Sequence, residues 1–315
     1  MTGYLIRRLL QTIVVTVIVT IITFLLLHLV PGGEVRAILG VRASPVEVRT
    51  YSKEWGFDQP LYVQYGNWLW QMLHGNFGFD LKQNAPVSTL IWAALPRTIV
   101  LAFIGTGVGL LIGIPLGILQ AVRRHSVADN VLTGIAFVGY GSPTFLVGLL
   151  LVQWFAVNLH IFPPFAPQAT SIGGILSDPV ALILPVATYA FVAYALWSRY
   201  MRSSVMDNIV QDYVRTARSK GASERRVLWG HIFRNSLISI VTLLGLQLPV
   251  IIGGAIFIEV VFNYPGMGLL FYDAALNTDI QLMLAITVLT TLITILGNLL
   301  ADIGYAMLDP RVRYA

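Results

Sequence analysis

The chain has 315 residues, of which 56% are hydrophobic and 11% are charged, and its formal net charge is +5. So apolar a composition excludes a soluble two-domain protein and predicts an integral membrane protein. The sequence contains no cysteine, which excludes disulfides, thiolate chemistry and cysteine-ligated metal sites.

Six segments are apolar and long enough to cross a membrane, for which a helix needs about 20 residues. Each is expected to be helical, because a helix satisfies its own backbone hydrogen bonds in lipid. The first lacks a small-residue cleavage site and should remain an uncleaved helix. Four of the six contain a proline, which is expected to kink them. The predicted spans are Leu9–Val30, Thr98–Ala121, Val131–Val157, Val180–Tyr200, Ser236–Phe262 and Ile280–Met307.

The distribution of basic residues predicts the orientation of these spans. With the N-terminus in the cytoplasm, fourteen of the twenty Lys and Arg residues fall in cytoplasmic segments, and the short outer loops 158–179 and 263–279 contain none. Basic residues in short loops stay on the cytoplasmic side. The sequence therefore predicts a multi-pass membrane protein with both termini in the cytoplasm. The net positive charge follows from this asymmetry and does not indicate nucleic-acid binding.

Residues 31–96, between the first two spans, form an external segment with two predicted helices. The first follows the capping pattern Ser44–Glu47 and continues to about Trp55. The second covers Leu61–Leu73 and carries an apolar stripe. The stripe predicts either a helix in the membrane interface or one that packs on the outer ends of the spans. It consists of Leu61, Tyr65, Trp68, Leu69 and Met72.

A search for catalytic motifs returns nothing. The sequence has no phosphate-binding Gly-x-x-x-x-Gly-Lys-Ser/Thr loop, no His-Glu-x-x-His pair and no two histidines at helical spacing. We therefore expect no catalytic residue, no metal site and no hydrolysis of ATP by this chain itself. Glu259, near the end of the fifth span, is a candidate pathway or gating residue, because an ionisable side chain there usually faces a cavity or a partner.

A polar, basic loop at residues 203–234 (hereafter the basic loop) interrupts the apolar sequence. It carries six Lys or Arg residues against three acids, and Gly221 lies between two potential short helices, with Ser223 as the N-cap of the second. A loop that only contacts anionic lipid would not need this turn or its apolar residues. The basic loop is therefore predicted to dock a protein partner.

The basic loop resembles the signature loop of permease subunits of binding-protein-dependent ABC importers, in their dipeptide, oligopeptide and nickel branch. Asp212–Gly221 matches the pattern of that branch, although the glutamate and the final Leu-Pro of the general family pattern are absent. The resemblance covers nearly the whole chain. Further matching motifs are Tyr4–Arg8, Leu29–Gly32, Gly56–Pro60, Gly75–Gly78, Ser142–Phe145, Glu259–Gly266 and Leu308–Arg311.

The resemblance implies an all-α fold, that of a type I ABC importer permease with six transmembrane helices. It implies a half-pathway that pairs with a second, similar permease, two cytoplasmic ATPase subunits that bind ATP and magnesium, and an external substrate-binding protein. Residues implied to contact the ATPases are Asp212, Tyr213, Arg215, Thr216, Ala217, Arg218, Lys220, Gly221, Ala222 and Ser223. Candidate pathway or gating residues are Ser142, Pro143, Phe145 and Glu259.

The resemblance also implies a mechanism of alternating access driven by ATP binding, in which the basic loop carries the motion of the ATPases to the spans. Gly221 would permit the turn and Ala217 a close approach to the ATPase. The chain would divide into residues 1–30 (N-terminus and first helix), 31–96 (external segment) and 97–315 (a five-helix core that includes the basic loop). Two other classes remain open: an ATPase-independent secondary transporter, and an export or assembly factor on the same scaffold. The importer's substrate is expected to be a di- or oligopeptide, with nickel chelates or oligosaccharides as alternatives.

Overall fold

The computed structural model describes residues 2–29, 34–39, 43–54, 56–80, 82–169, 171–253, 255–277 and 279–308, and most of them are helical. This confirms the all-α expectation. The helices are α1 Thr2–His28, α2 Glu34–Leu39, α3 Pro45–Glu54, α4 Leu61–Leu73, α5 Val87–Val122, α6 Val127–Gly141, α7 Thr144–Leu151, α8 Ile172–Leu176, α9 Pro179–Ile209, α10 Asp212–Ser219, α11 Glu224–Val227, α12 Phe233–Gly253, α13 Ile256–Val261, α14 Met267–Leu276 and α15 Ile280–Leu308. The strands are β1 Phe79–Asp80 and β2 Ala85–Pro86, and π-helical turns cover Val152–Asn158 and Leu228–Ile232.

The chain forms two compact units that do not follow the sequence order. Unit 1 combines residues 1–98 with residues 265–315, and unit 2 consists of residues 99–264. Within unit 1 the last helix, α15, packs against the first, α1. The three segments expected from the sequence divide the chain by position, whereas the packing groups the C-terminal helices with the N-terminal ones.

Both helices predicted in the 31–96 segment are present in unit 1. The Ser44 backbone N–H donates to the Glu47 carboxylate and the Glu47 N–H donates to the Ser44 hydroxyl, so the capping box begins α3 as predicted. The bond that the Ser44 N–H donates favours the charged form of the Glu47 side chain and lowers its pKa. Helix α4 has the predicted bounds, Leu61–Leu73. The capping pattern therefore located α3, and the apolar stripe located α4.

One side of α4 packs against the end of α1. The Tyr65 hydroxyl lies 2.9 Å from the Thr20 hydroxyl, and the Phe24 ring contacts the rings of Tyr65 and Trp68. The Gln64 side-chain oxygen lies 3.1 Å from His28 Nε2. Of the two interpretations of the apolar stripe, the structure supports packing on a span.

A two-stranded hairpin, which the sequence did not predict, leads into α5. Strands β1 and β2 are antiparallel, and Asp80 Oδ1 closes their turn by accepting the N–H groups of Lys82 and Gln83. The buried Asp279 caps α15 by accepting the Leu282 N–H at 3.0 Å. Burial, and then the neighbouring Asp80 carboxyl, raise the pKa of Asp279. Two acidic side chains thus lie close together where the hairpin meets the start of α15.

Glycines on one face of α5 allow α9 to approach closely in unit 2. A Cβ at Gly109 would lie 2.4 Å from the Ala193 Cβ, and one at Gly117 would lie 2.5 Å from the Ser198 carbonyl oxygen. Such distances leave no room for a side chain, so these positions require glycine. The pattern is the small-residue packing common between membrane helices.

Four described helices are long and apolar enough to cross a membrane: α1, α5, α9 and α15. A fifth span is counted if α6 and α7, with the π-helical turn after α7, act as one bent unit. The fifth predicted span corresponds to α12 and α13; Gly254, between them, lies outside the described residues. The number six remains a prediction.

Three further differences concern the predicted spans. The helix of the second begins at Val87, about three turns before the predicted Thr98. The third is not one continuous helix, because its two halves are bent by 109° at Ser142–Pro143. Ser142 is extended there (φ −84°, ψ 136°), as the residue before a proline prefers to be. The fourth extends to Ile209, about two turns beyond the predicted end, and Pro185 does not interrupt it.

Candidate functional site

The basic loop folds as a helix–turn–helix, with Gly221 between α10 and α11. The Ala222 N–H donates to the Ala217 carbonyl and the Gly221 N–H to the Arg218 carbonyl, at 3.2 and 2.9 Å. This pair of bonds is a Schellman motif, which needs a left-handed residue after the helix. Gly221 supplies it with a φ of +79°. The two predicted helices are confirmed, and Ser223 is the N-cap residue of α11, although its side chain makes no capping bond.

The requirement for glycine at position 221 comes from backbone conformation and not from lack of space. A Cβ built there meets no atom within 4 Å. An L-residue with a side chain disfavours the left-handed region by roughly 1–2 kcal/mol. Substitution at Gly221 should therefore change the direction in which α11 leaves α10, without creating a steric clash.

One face of the basic loop is buried against the chain's own helices. Val214 and Val227 are fully buried, and Ala217 is 9% exposed. They join an apolar cluster of unit 2 with residues of α5, α9 and α12. Because Ala217 belongs to this cluster, the close approach that its small side chain permits is that of α10 to its own chain. The expectation that Ala217 faces an ATPase does not match this placement.

The opposite face of the basic loop is exposed and mostly basic. Four cations on the exposed side of the loop are Arg215, Lys220, Arg225 and Arg226. Ser223, Arg225, Arg226 and Trp229 line a shallow depression there. Asp212 lies 3.6 Å from Arg215, but both side chains are exposed, so this pair contributes little. The face presents a cluster of cations around the Gly221 turn.

Arg218 differs from these four cations, because its side chain forms an ion pair within the basic loop. Its guanidinium donates two hydrogen bonds to the Glu224 carboxylate, at 2.7 and 3.1 Å. The hydrogen bonds with Glu224 raise the pKa of Arg218, and those with Arg218 lower the pKa of Glu224. The pair braces α10 against α11 across the turn. The structure thus shows Arg218 bonded within the loop, and its contact with an ATPase stays a prediction.

The remaining predicted residues of the basic loop are also exposed, with the exception of Ala222. The Tyr213 hydroxyl donates to the Asn208 side chain at the end of α9, and the Thr216 hydroxyl donates to the Asp212 carbonyl. Ala222 is half-buried and Ser223 is exposed. Of the ten predicted residues, Ala217 alone is buried.

The comparisons with known proteins agree with this geometry. The model of the binding-protein-dependent transport system inner membrane component matches residues 113–314, and the model of its N-terminal part matches residues 1–102. The chain belongs to this family. The oligopeptide transport system permease protein AppB of Bacillus subtilis is 38% identical over 316 residues, covering 100% of both chains. A protein of Sinorhizobium fredii named "probable peptide ABC transporter permease protein y4tP" is 36% identical over 315 residues.

A solved structure supports the same fold for this inner-membrane component. The inward-facing MetNI methionine ABC transporter aligns with a TM-score of 0.56 and 16% identity, covering 70% of this chain and 96% of that one. At this identity the match concerns the fold alone. The family models and the full-length relatives confirm the family resemblance predicted from the sequence motifs.

The candidate pathway residues of this inner-membrane component lie in unit 2, at the break before α7, on α7 and on α13. Ser142 and Pro143 form the break between α6 and α7, and the Phe145 ring of α7 lies 6.2 Å from the Phe257 ring of α13. Glu259 is fully buried and interacts electrostatically with Tyr189 of α9. Their assignment to the pathway stays a prediction.

The sequence reasoning missed a buried ion pair that holds α9 to α6. Arg202 donates two hydrogen bonds of 3.0 Å to the carboxylate oxygens of Asp129, whose side chain is 4% exposed. Asp129 also accepts from the His125 N–H, and its own N–H donates to the Ser126 hydroxyl that caps α6. The capping pattern Ser126–Asp129 was visible in the sequence. Its partner on another helix was not, because single-sequence patterns report only local neighbours.

Proposed function

We propose that this chain is the transmembrane permease subunit of an ATP-driven ABC importer for di- or oligopeptides. The peptide substrate is supported by the names of two full-length relatives, both described as peptide or oligopeptide permeases. The permease role is supported by family membership over nearly the whole chain. In this proposal the chain forms half of the translocation pathway and hydrolyses no ATP itself.

The exposed basic face of α10 and α11 carries the coupling part of the proposal. Its cations surround a turn that Gly221 fixes, while the opposite face is anchored in the apolar cluster of unit 2. A force applied to such a loop would be transmitted to α9, because only Val210 separates the last residue of α9, Ile209, from Gln211, the N-cap residue of α10. Two ATPase subunits with bound ATP and magnesium would dock here and drive alternating access.

The proposal also includes the orientation of the chain in the membrane and its partners other than the ATPases. Both termini and the basic loop would lie in the cytoplasm, since basic residues in short loops stay inside, and the 31–96 segment would lie outside. A second, homologous permease would complete the pathway, and an external binding protein would deliver the peptide.

Purification of the tagged chain from its membrane in mild detergent tests this assignment. We expect recovery of a second permease and ATPase subunits, and ATPase activity that rises when the external binding protein is added with a peptide. Recovery of this chain alone, without ATPase activity, would refute the importer and favour a secondary transporter. Complex formation with stimulation by a nickel chelate or an oligosaccharide, and not by peptide, would refute the substrate only.

A further inference from the structure

Unit 1 contains a cavity of about 500 Å³, which lies apart from the basic loop and from the candidate pathway residues of unit 2. The end of α1, α4, the turn between α3 and α4, residues 76–79 and the first turns of α15 form its walls. Its size is within the range of small-molecule sites, which measure roughly 300–1,000 Å³. A short peptide segment of two or three residues has a volume of this order.

Two of the amide side chains that line the cavity are already committed to its walls. Gln64 donates to the carbonyls of Phe57 and Gln59, at 3.1 and 2.7 Å. Asn76 donates to the Gln71 side chain and accepts the Gly78 N–H. These bonds fix the connection between α3 and α4 and the turn after α4. The cavity therefore has a braced frame and is not a gap between loose loops.

Gly78 leaves room for a third amide, that of Gln281 at the start of α15. A Cβ at Gly78 would lie 1.6 Å from Gln281 Nε2, and Gly78 has a φ of +90°. Any side chain at position 78 would displace Gln281. Among the described residues, the side chains of Gln281 and Asn67 have no hydrogen-bond partner in the protein, so both can bind a ligand.

The charge on the cavity is negative. Glu54 is the only ionisable residue among the described residues that line it, and within the described part of the chain its carboxylate forms no ion pair. The aromatic side chains Phe57, Trp68 and Phe77 supply apolar wall. A ligand that suits these groups carries one cation, peptide-like hydrogen-bonding groups and an apolar side chain. The described lining supplies no cationic side chain that could pair with a carboxylate of the ligand.

We propose that this cavity binds the amino-terminal end of a short peptide. Glu54 pairs with the α-ammonium group, Asn67 and Gln281 hydrogen-bond to the first peptide bonds, and the aromatic wall receives a side chain. The inference rests on the proposed function, since it assigns an additional peptide site to the same transporter. It also predicts that an amino-terminal acetyl group weakens binding, because acetylation removes the charge that Glu54 recognises.

Photo-crosslinking on the purified complex in nanodiscs, without binding protein, tests the site. The probes are the tripeptide Ala-Ala-benzoylphenylalanine with a free amino terminus and its N-acetylated form, and the crosslinked residues are mapped by mass spectrometry. We expect the free-amine probe to label the cavity residues in competition with Ala-Ala-Ala. Glu54→Gln should weaken that labelling about tenfold, as loss of one charge-assisted bond does, and leave labelling by the acetylated probe unchanged.

Asp58→Asn is the matched control, because Asp58 is an exposed acid of the same turn that does not line the cavity. It should label as the unmodified chain does. Labelling outside the cavity, equal labelling by both probes, or no effect of Glu54→Gln would overturn the inference. Uptake of the same peptide in proteoliposomes with binding protein and ATP separates the two claims: intact uptake without cavity labelling refutes this site and leaves the proposed function standing.

Discussion

Replacement of Asp129 by asparagine should destabilise unit 2 through Arg202. The change keeps the size of the side chain and one acceptor for the His125 N–H, but it removes the charge that two 3.0 Å hydrogen bonds from Arg202 satisfy. Breaking a fully buried ion pair costs about 3–5 kcal/mol. The Arg202 side chain is 30% exposed and can regain part of its hydration, so we expect a smaller cost of about 2 kcal/mol.

A loss of about 2 kcal/mol lowers the folding equilibrium constant roughly thirty-fold, at 1.4 kcal/mol for each factor of ten. Unfolding of the purified protein in mixed micelles, at increasing denaturing detergent, measures this loss. Asp207→Asn is the control, because Asp207 is an exposed acid on the same helix as Arg202 and should change stability by less than about 0.5 kcal/mol.

A double-mutant cycle with Arg202→Gln shows whether the two residues act as a pair. The double variant should be less destabilised than the sum of the single variants, by about 1 kcal/mol or more. Strictly additive effects, or an Asp129→Asn variant as stable as the Asp207→Asn control, would refute the reasoning.

Two further predictions concern packing and pH. Gly109→Leu should destabilise unit 2 by more than about 2 kcal/mol, because even a Cβ at this position would lie 2.4 Å from an alanine Cβ of α9. The midpoint of thermal unfolding measures this loss. Gly107→Leu, on the same helix, is the control: a Cβ at Gly107 meets open space, so this variant should change the midpoint little. The raised pKa of Asp279 means that the folded protein binds its proton more tightly than the unfolded chain. The resulting stability is present below the ordinary value of 3.8 and is lost as pH rises through the higher folded pKa. Asp279→Asn should flatten the dependence of thermal stability on pH in this window, whereas Asp58→Asn should not. Equal slopes in both variants would contradict the raised pKa of Asp279.

The long helices and the caps could be predicted because their signals are local. The apolar stretches of α1, α5, α9 and α15 give spans directly, and the Ser44–Glu47 pattern gave the start of α3. The turn at Gly221 followed from one glycine between two short amphipathic helices. Each of these features depends on residues that are close in sequence.

The features that were not predicted depend on residues far apart in sequence. The bond between Arg202 and Asp129 joins residues on different helices, and the approach of Asp80 to Asp279 joins the hairpin to the last helix. The burial of Ala217 depends on apolar residues of α5, α9 and α12. The orientation of a side chain on a short helix is decided by such tertiary neighbours, so the signature motif located the basic loop but did not sort its residues into inner and outer faces.

The ratio of peptide transported to ATP hydrolysed in Gly221→Val proteoliposomes tests the central claim most directly. Gly230→Val is the matched control: it lies in the same loop, and a Cβ there also meets no atom within 4 Å, but its φ is not in the left-handed region. The account predicts that the Gly221 variant inserts and assembles but transports little peptide per ATP, while the Gly230 variant keeps its coupling ratio. An unchanged ratio in the Gly221 variant would contradict the assignment of the basic loop to coupling.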